Sequence, residues 1–265
     1  MTGISTLTTR LGTPSRGLLI GLFMATATLS GAANMALAQD KAELMDPQAI
    51  EVLDAMSAYL GKAKTLSFTA NTSFDDLLTG LKTKVFRTTK IYVKRPTGSY
   101  ATELTDDGTG RKIWFDGNKL TQYFTHSNKY QELEFKGTND AAMDELVDKY
   151  DARFVLGDLL YTDSAKNFKE YLLSAEYMGL KLVGGTPAHH LSFESAAADF
   201  QIWVQVGATP VPLRYEITHV DIKSEPEFLS RFTNWVIDGP ANNEVFRAVV
   251  PAGAKKEEFK ANTGK

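Results

Sequence analysis

From residue 66 to residue 135 short segments of alternating apolar and polar residues follow one another, separated by turn-forming residues. This is the pattern of an antiparallel meander. Phe68, Ala70, Thr72 and Phe74 alternate with Ser67, Thr69, Asn71 and Ser73, which places one set of side chains on each face of a half-buried strand. A second strand is predicted over residues 82–95 and is stopped by Pro96. Its Val85, Thr89, Ile91 and Val93 share one face, and Lys82, Lys84, Phe86, Lys90, Tyr92 and Lys94 share the other. Further strands are predicted over 99–104, 111–115, 119–125 and 129–135, joined by turns such as Asp106-Asp107-Gly108-Thr109-Gly110 and Asp116-Gly117-Asn118.

Helical periodicity appears in two places. Ahead of the meander, Asp46 can cap a helix over 46–60 with Pro47 in its first turn, an apolar stripe of Ile50, Leu53, Ala55, Met56, Tyr59 and Leu60, and Gly61 to close it. After Gly137, Asn139 can cap a helix in which Met143, Leu146, Val147, Tyr150 and Phe154 recur at intervals of three and four; Asp144, Glu145, Asp148 and Lys149 lie opposite. A second helix begins at Asp163 and carries Phe168, Tyr171 and Leu172. Strands resume from about residue 175, over 177–183, 188–194, 200–206, 213–220 and 229–237, and the tail beyond Pro251 is expected to be loosely held. About eleven strands curl into a barrel or half-barrel, because a sheet of that width rarely stays flat. The expected class is therefore α+β: an incomplete antiparallel β-barrel with helices covering its concave face.

The N-terminus adds a compartment. Arg10 and Arg16 precede an apolar run over 18–33, and Ala36-Leu37-Ala38 has the small residues of a signal-peptidase site. The run contains Thr26, Thr28, Ser30 and Gly31, is followed by Asn34, and falls short of the roughly 20 strongly apolar residues that span a bilayer. Cleavage is expected after Ala38, leaving residues 39–265 as one periplasmic domain. There is no cysteine, so neither a lipid-modified N-terminus nor a disulfide is available. Without Arg10 and Arg16, 27 basic residues face 32 acidic ones, a mild excess that argues neither for nucleic acid nor for an anionic membrane surface. The 15 Phe, 10 Tyr and 3 Trp argue instead for an extensive sheet with a sizeable interior.

Chemistry-bearing patterns are weak by comparison. The lysines and aromatics of the second strand resemble an anion platform, but a solvated outer face explains them more simply. Asp75, Asp76, Asp106 and Asp107 lack the spaced acidic loop of a calcium site. There is no Gly-x-Ser-x-Gly, Ser-x-x-Lys or His-Glu-x-x-His, and a solvated face accounts for Glu132 and Glu134. His189 and His190 are adjacent on a strand, so they point to opposite faces, one expected buried and one exposed. The chain is read as a binding protein and not an enzyme, with no catalytic residue, metal or cofactor. Candidate lining residues for an apolar cavity are Phe68, Ile91, Tyr100, Trp114, Phe124 and Trp203, although Ile113 and Phe115 occupy the face opposite Trp114. Met143, Leu146, Val147 and Tyr150 would form a lid helix.

The Arg95-Pro96 strand end, the Ile113-Trp114-Phe115-Asp116-Gly117 hairpin, the inserted helices, His190-Leu191-Ser192-Phe193, Trp203 and Pro212-Leu213 together resemble the domain of unknown function 2092 family of periplasmic proteins. That family is similar in architecture to the LolA, LolB and LppX lipoprotein and lipid carriers. The resemblance covers nearly the whole exported chain and implies a half-barrel with an apolar cavity for acyl chains. No position here matches the carriers' lipoprotein-contacting arginine. What the resemblance implies is a soluble monomeric carrier of a hydrophobic ligand or lipidated protein, with a transient envelope or membrane-associated partner. The alternatives are an envelope protein–protein interaction module and, less favoured, an exported hydrolase.

Overall fold

The computed structural model describes residues 44–77, 81–150, 152, 156–240 and 242–259. The proposed cleavage at Ala38 and the periodic Phe154 lie outside the described residues.

Among the described residues twelve strands form one sheet in the order β12-β6-β5-β4-β3-β2-β1-β11-β10-β9-β8-β7. The first meander comprises β1 (Thr65–Asp76), β2 (Thr83–Lys94), β3 (Ser99–Thr105), β4 (Gly110–Phe115), β5 (Lys119–Phe124) and β6 (Lys129–Glu134). The second comprises β7 (Leu172–Val183), β8 (Thr186–Ser195), β9 (Asp199–Gln205), β10 (Pro212–Thr218) and β11 (Glu227–Ile237). All neighbours among these eleven are antiparallel, and the halves join where β1 pairs with β11. The sheet does not close on itself, so the expected incomplete barrel stands as an open α+β sheet with helices on one face.

Among the described residues three helices provide that cover: α1 (Pro47–Lys62), α2 (Asn139–Tyr150) and α3 (Ser164–Tyr171). Asp46 caps α1 by accepting from the Gln48 amide at 2.8 Å. Gly61 does not close this helix but lies in its last turn, where a Cβ would overlap the Thr162 carbonyl oxygen. Asp163 caps α3 through the Lys166 amide. At the start of α2 the expected cap is displaced by one residue: Thr138 Oγ1 accepts from the Ala141 amide, while Asn139 is buried inside the helix. There its side chain accepts from the Gly98 amide at 3.0 Å and donates to the Lys94 carbonyl at 2.9 Å, holding α2 to the β2–β3 hairpin. Residues 251–259 of the tail are also more ordered than composition suggests. Lys255–Glu257 forms β12, parallel to β6, with Lys129–Glu257 and Lys256–Glu132 ion pairs across the junction.

The interior is divided. Ala49, Leu53, Met56 and Leu60 of α1, with Ala165 and Phe168 of α3, pack on residues of β1, β2 and β7 to β11, including Phe193, Ile202 and Phe232. Ala142 and Leu146 of α2 pack separately on Phe115 and Leu120. Ile113, 5% exposed, belongs to neither cluster.

Candidate functional site

Register assigns every strand residue to the inner, helix-bearing face or to the outer one, because directly paired residues share a face. Phe68 pairs with Ile91, Ile91 with Ala101, and Ala101 with Ile113, which forms one inner row. One turn of the pleat away, Thr89 pairs with Glu103, Glu103 with Arg111, and Arg111 with Phe124. Phe68, Ile91 and Phe124 thus lie on the inner face, as a shared lining requires. Tyr100, Trp114 and Trp203 do not.

Tyr100 pairs with both Tyr92 and Trp114, and the three rings form a stacked ladder on the outer face with centroids 6.0 and 5.6 Å apart. Trp114 is nevertheless buried. The 242–248 return crosses this face, and its Phe246 and Arg247 share a cleft of about 290 Å³ with Trp114. Trp203 is sandwiched on the outer face between His190, 4.2 Å away between ring centroids, and the Arg214 guanidinium at 4.6 Å. His189 and His190 point to opposite faces, but both are half-buried: His189 Nδ1 meets the Tyr177 hydroxyl at 2.8 Å, and His190 Nε2 meets Gln201 at 2.7 Å. Burial lowers the His190 pKa, only partly opposed by the Gln201 hydrogen bond. Among the described residues no group of three or more His, Asp or Glu side chains is placed to hold a metal ion.

Of the four proposed lid residues, Leu146 is buried against the inner face beside Phe115 and Leu120. Tyr150 is half-buried and meets Phe259 of the tail edge-on at 5.2 Å, while Met143 and Val147 are half-buried.

The inner face is closed at one end and open at the other. Along β2, Val93, Ile91 and Thr89 are buried, Arg87 and Val85 are half-buried, and Thr83 is exposed. β1 repeats the gradient, from buried Phe68, Ala70 and Thr72 to half-buried Phe74. Around the open end three charges face inward. Glu103 accepts from Arg111 Nε at 3.1 Å and from its Nη2 at 3.0 Å, while Arg87 Nη1 stands 3.7 Å from Glu103 Oε2. Their side chains are 28% (Arg87), 21% (Arg111) and 13% (Glu103) exposed. The Arg87 guanidinium covers the Phe74 ring at 4.8 Å, yet its Nε is buried with no hydrogen-bond partner. Burial and the Arg111 charge lower the Arg87 pKa against the opposing pull of Glu103.

Arg87, Glu103 and Arg111 are absent from the sequence-derived lining. The signal for Arg87 was present: the alternation that assigns Val85, Thr89 and Ile91 to one face assigns Arg87 to it as well.

A family model described as "Predicted periplasmic protein (DUF2092)" matches residues 49–260. No curated protein sequence matches the chain. Among solved structures, an uncharacterized conserved protein from Thermus thermophilus is 12% identical, with a TM-score of 0.47 over 80% of this chain and 99% of that one. The Mycobacterium tuberculosis lipoprotein LppX is 13% identical, with a TM-score of 0.46 over 74% and 98%. MucB of Pseudomonas aeruginosa, in the MucA/MucB complex, is 15% identical, with a TM-score of 0.41 over 76% and 61%.

Proposed function

This chain belongs to the DUF2092 family of predicted periplasmic proteins, and from that premise we propose that it is a soluble envelope carrier whose inner sheet face receives the apolar part of a lipid or lipidated protein. One observation carries the reading: the interior is split into two separately packed clusters, and the inner face between them opens at the Phe74–Val85 end. An apolar wall half-covered by helices has lost less water than a closed core, and burying an acyl chain there gains about 25 cal/mol for each Å² removed from water. Phe68, Ile91 and Phe124 are the proposed lining, and α2 is the element whose displacement would enlarge the opening, because its buried apolar residues belong to the small cluster and not to the large one. The exported single domain over 39–265 is part of the same proposal. Native mass spectrometry of gently extracted periplasmic protein is expected to show adducts with acyl-lipid masses. A clean protein mass under conditions that preserve such adducts in a known carrier would overturn the reading.

A second reading rests on β7. Residues 44–46 cover the first part of its outer edge, through the Met45–Ala175 bridge and the Asp46 amide on the Ala175 carbonyl. Beyond it, Met178 (44% exposed), Leu180 (62%) and Leu182 (72%) stand on a strand whose neighbour in the sheet, among the described strands, is β8. Such an edge suits strand addition by a protein partner. Lys181→Pro would remove a backbone donor and disrupt strand pairing there, and capture of an envelope partner that survives this change would count against the second reading.

A further inference from the structure

The inner face of this sheet is apolar at its closed end and carries a charged cluster at its open end, and Arg87 is its incompletely paired member. The guanidinium groups of Arg87 and Arg111 both approach the Glu103 carboxylate. Glu103 is engaged by Arg111 through two nitrogens at hydrogen-bond distance, so Arg87 is left with a 3.7 Å contact and no hydrogen bond from its Nε. Among the described residues, Glu103 is the one carboxylate within ion-pair distance of Arg87. A guanidinium held largely out of water without a full complement of acceptors is costly, and an incoming anion would supply the missing ones.

Its surroundings specify the rest of the ligand. Phe74 lies beneath the guanidinium and Phe124 stands beside Arg111, both half-buried, while the floor continues through Thr89 to Ile91 and Ile113. A ligand entering from the open end would therefore meet positive charge first and apolar wall beyond it. A free inorganic anion would use only the first part, and a neutral lipid only the second.

Resting on the carrier reading above, we propose that Arg87, with Arg111 beside it, forms a headgroup site for a long-chain amphiphile carrying an anionic head, a carboxylate or a phosphodiester, whose chain lies along the inner face toward Ile91. Glu103 is turned toward Arg111 by its two hydrogen bonds and leaves the Arg87 Nε to the ligand. The Arg87 Nε and one Nη form the planar fork that receives the two oxygens of the head.

The test uses the exported chain and two fluorescent probes of equal chain length, cis-parinaric acid and its methyl ester, titrated at low ionic strength. Wild type is expected to prefer the acid. Arg87→Gln is expected to weaken acid binding about tenfold, the scale of one charge-assisted hydrogen-bonded pair, and to leave the ester unchanged. Glu103→Gln is expected to act in the opposite sense and tighten the acid several-fold, which gives a second readout should Arg87→Gln fail to fold. Competition by laurate and by lysophosphatidylglycerol separates a carboxylate head from a phosphodiester head, and displacement by either one alone supports the site. If acid and ester bind equally and neither substitution changes either, the headgroup site is refuted while the carrier reading stands. If neither probe nor competitor binds wild type, both are refuted.

Discussion

Asp75 illustrates how far a single residue's role departs from its composition. Its side chain is 1% exposed, accepts from the Glu227 amide at 2.9 Å and pairs with Lys84 at 2.9 Å and Lys82 at 3.2 Å. Burial alone would raise its pKa, but the amide and the two ammonium groups outweigh it and hold the carboxyl below its ordinary 3.8. A depressed folded-state pKa gives stability that is present above the ordinary value and is lost as pH falls through the folded one. Asp75→Asn should therefore cost about 1–3 kcal/mol at pH 7, less than a fully buried pair because both lysines are partly solvated, and the difference from wild type in urea melts should narrow below pH 3.8. Asn139→Ala should cost about 2 kcal/mol by the same measurement, because it leaves the Gly98 amide and Lys94 carbonyl unpaired in a buried position. At this scale the sequence was legible in kind but not in partner. Asn139 marks the start of a helix, as its type suggests, but its contacts lie more than forty residues away. Arg87 breaks an apolar row, and a charged residue in such a row is usually discounted until its counter-ion on another strand is known.

Among elements, the eleven long strands were the most readable part of the chain, because Gly, Asp, Asn and Pro punctuate nearly every turn and the alternation between them has period two. β12 was not readable. Lys-Lys-Glu has no strand propensity, and its pairing depends on β6, 126 residues earlier, and on charges there. The same distant contact supports α2 through Phe259 on Tyr150. Truncation after Gly253 is therefore expected to lower stability by roughly 1–2 kcal/mol and to increase amide exchange in α2 selectively, leaving α1 protected. Uniform exchange across both helices would show that the tail does not support α2. Leu146→Ala, which empties the middle of the small cluster, should cost about 2–4 kcal/mol.

For the molecule as a whole, the expected wall of strands with helices on one side is what the structure contains, but the assignment of the candidate lining residues to that side was only half readable. Phe68, Ile91 and Phe124 face the helices, whereas Tyr100, Trp114 and Trp203 face away. Large rings are usually counted as interior, and here the outer face has interiors of its own: one beneath the 242–248 return and one in the His190–Trp203–Arg214 stack. No periodicity within a strand reveals that a later segment will fold back over its outer side. Nor does it reveal that the apolar interior is divided in two.

The join between the two meanders has a consequence for biogenesis. β1 precedes every other strand of the sheet in the chain, yet one of its two neighbours is β11, and their buried Thr72–Ser230 hydroxyl contact at 3.1 Å links residues 158 positions apart. A polypeptide threaded across a membrane from its N-terminus would carry β1 half-paired until residue 237 had emerged, leaving a sticky seam exposed for most of the passage. Fragments ending before Glu227 should remain protease-sensitive however long they are given to fold, and fragments reaching Ile237 should acquire resistance in a single step.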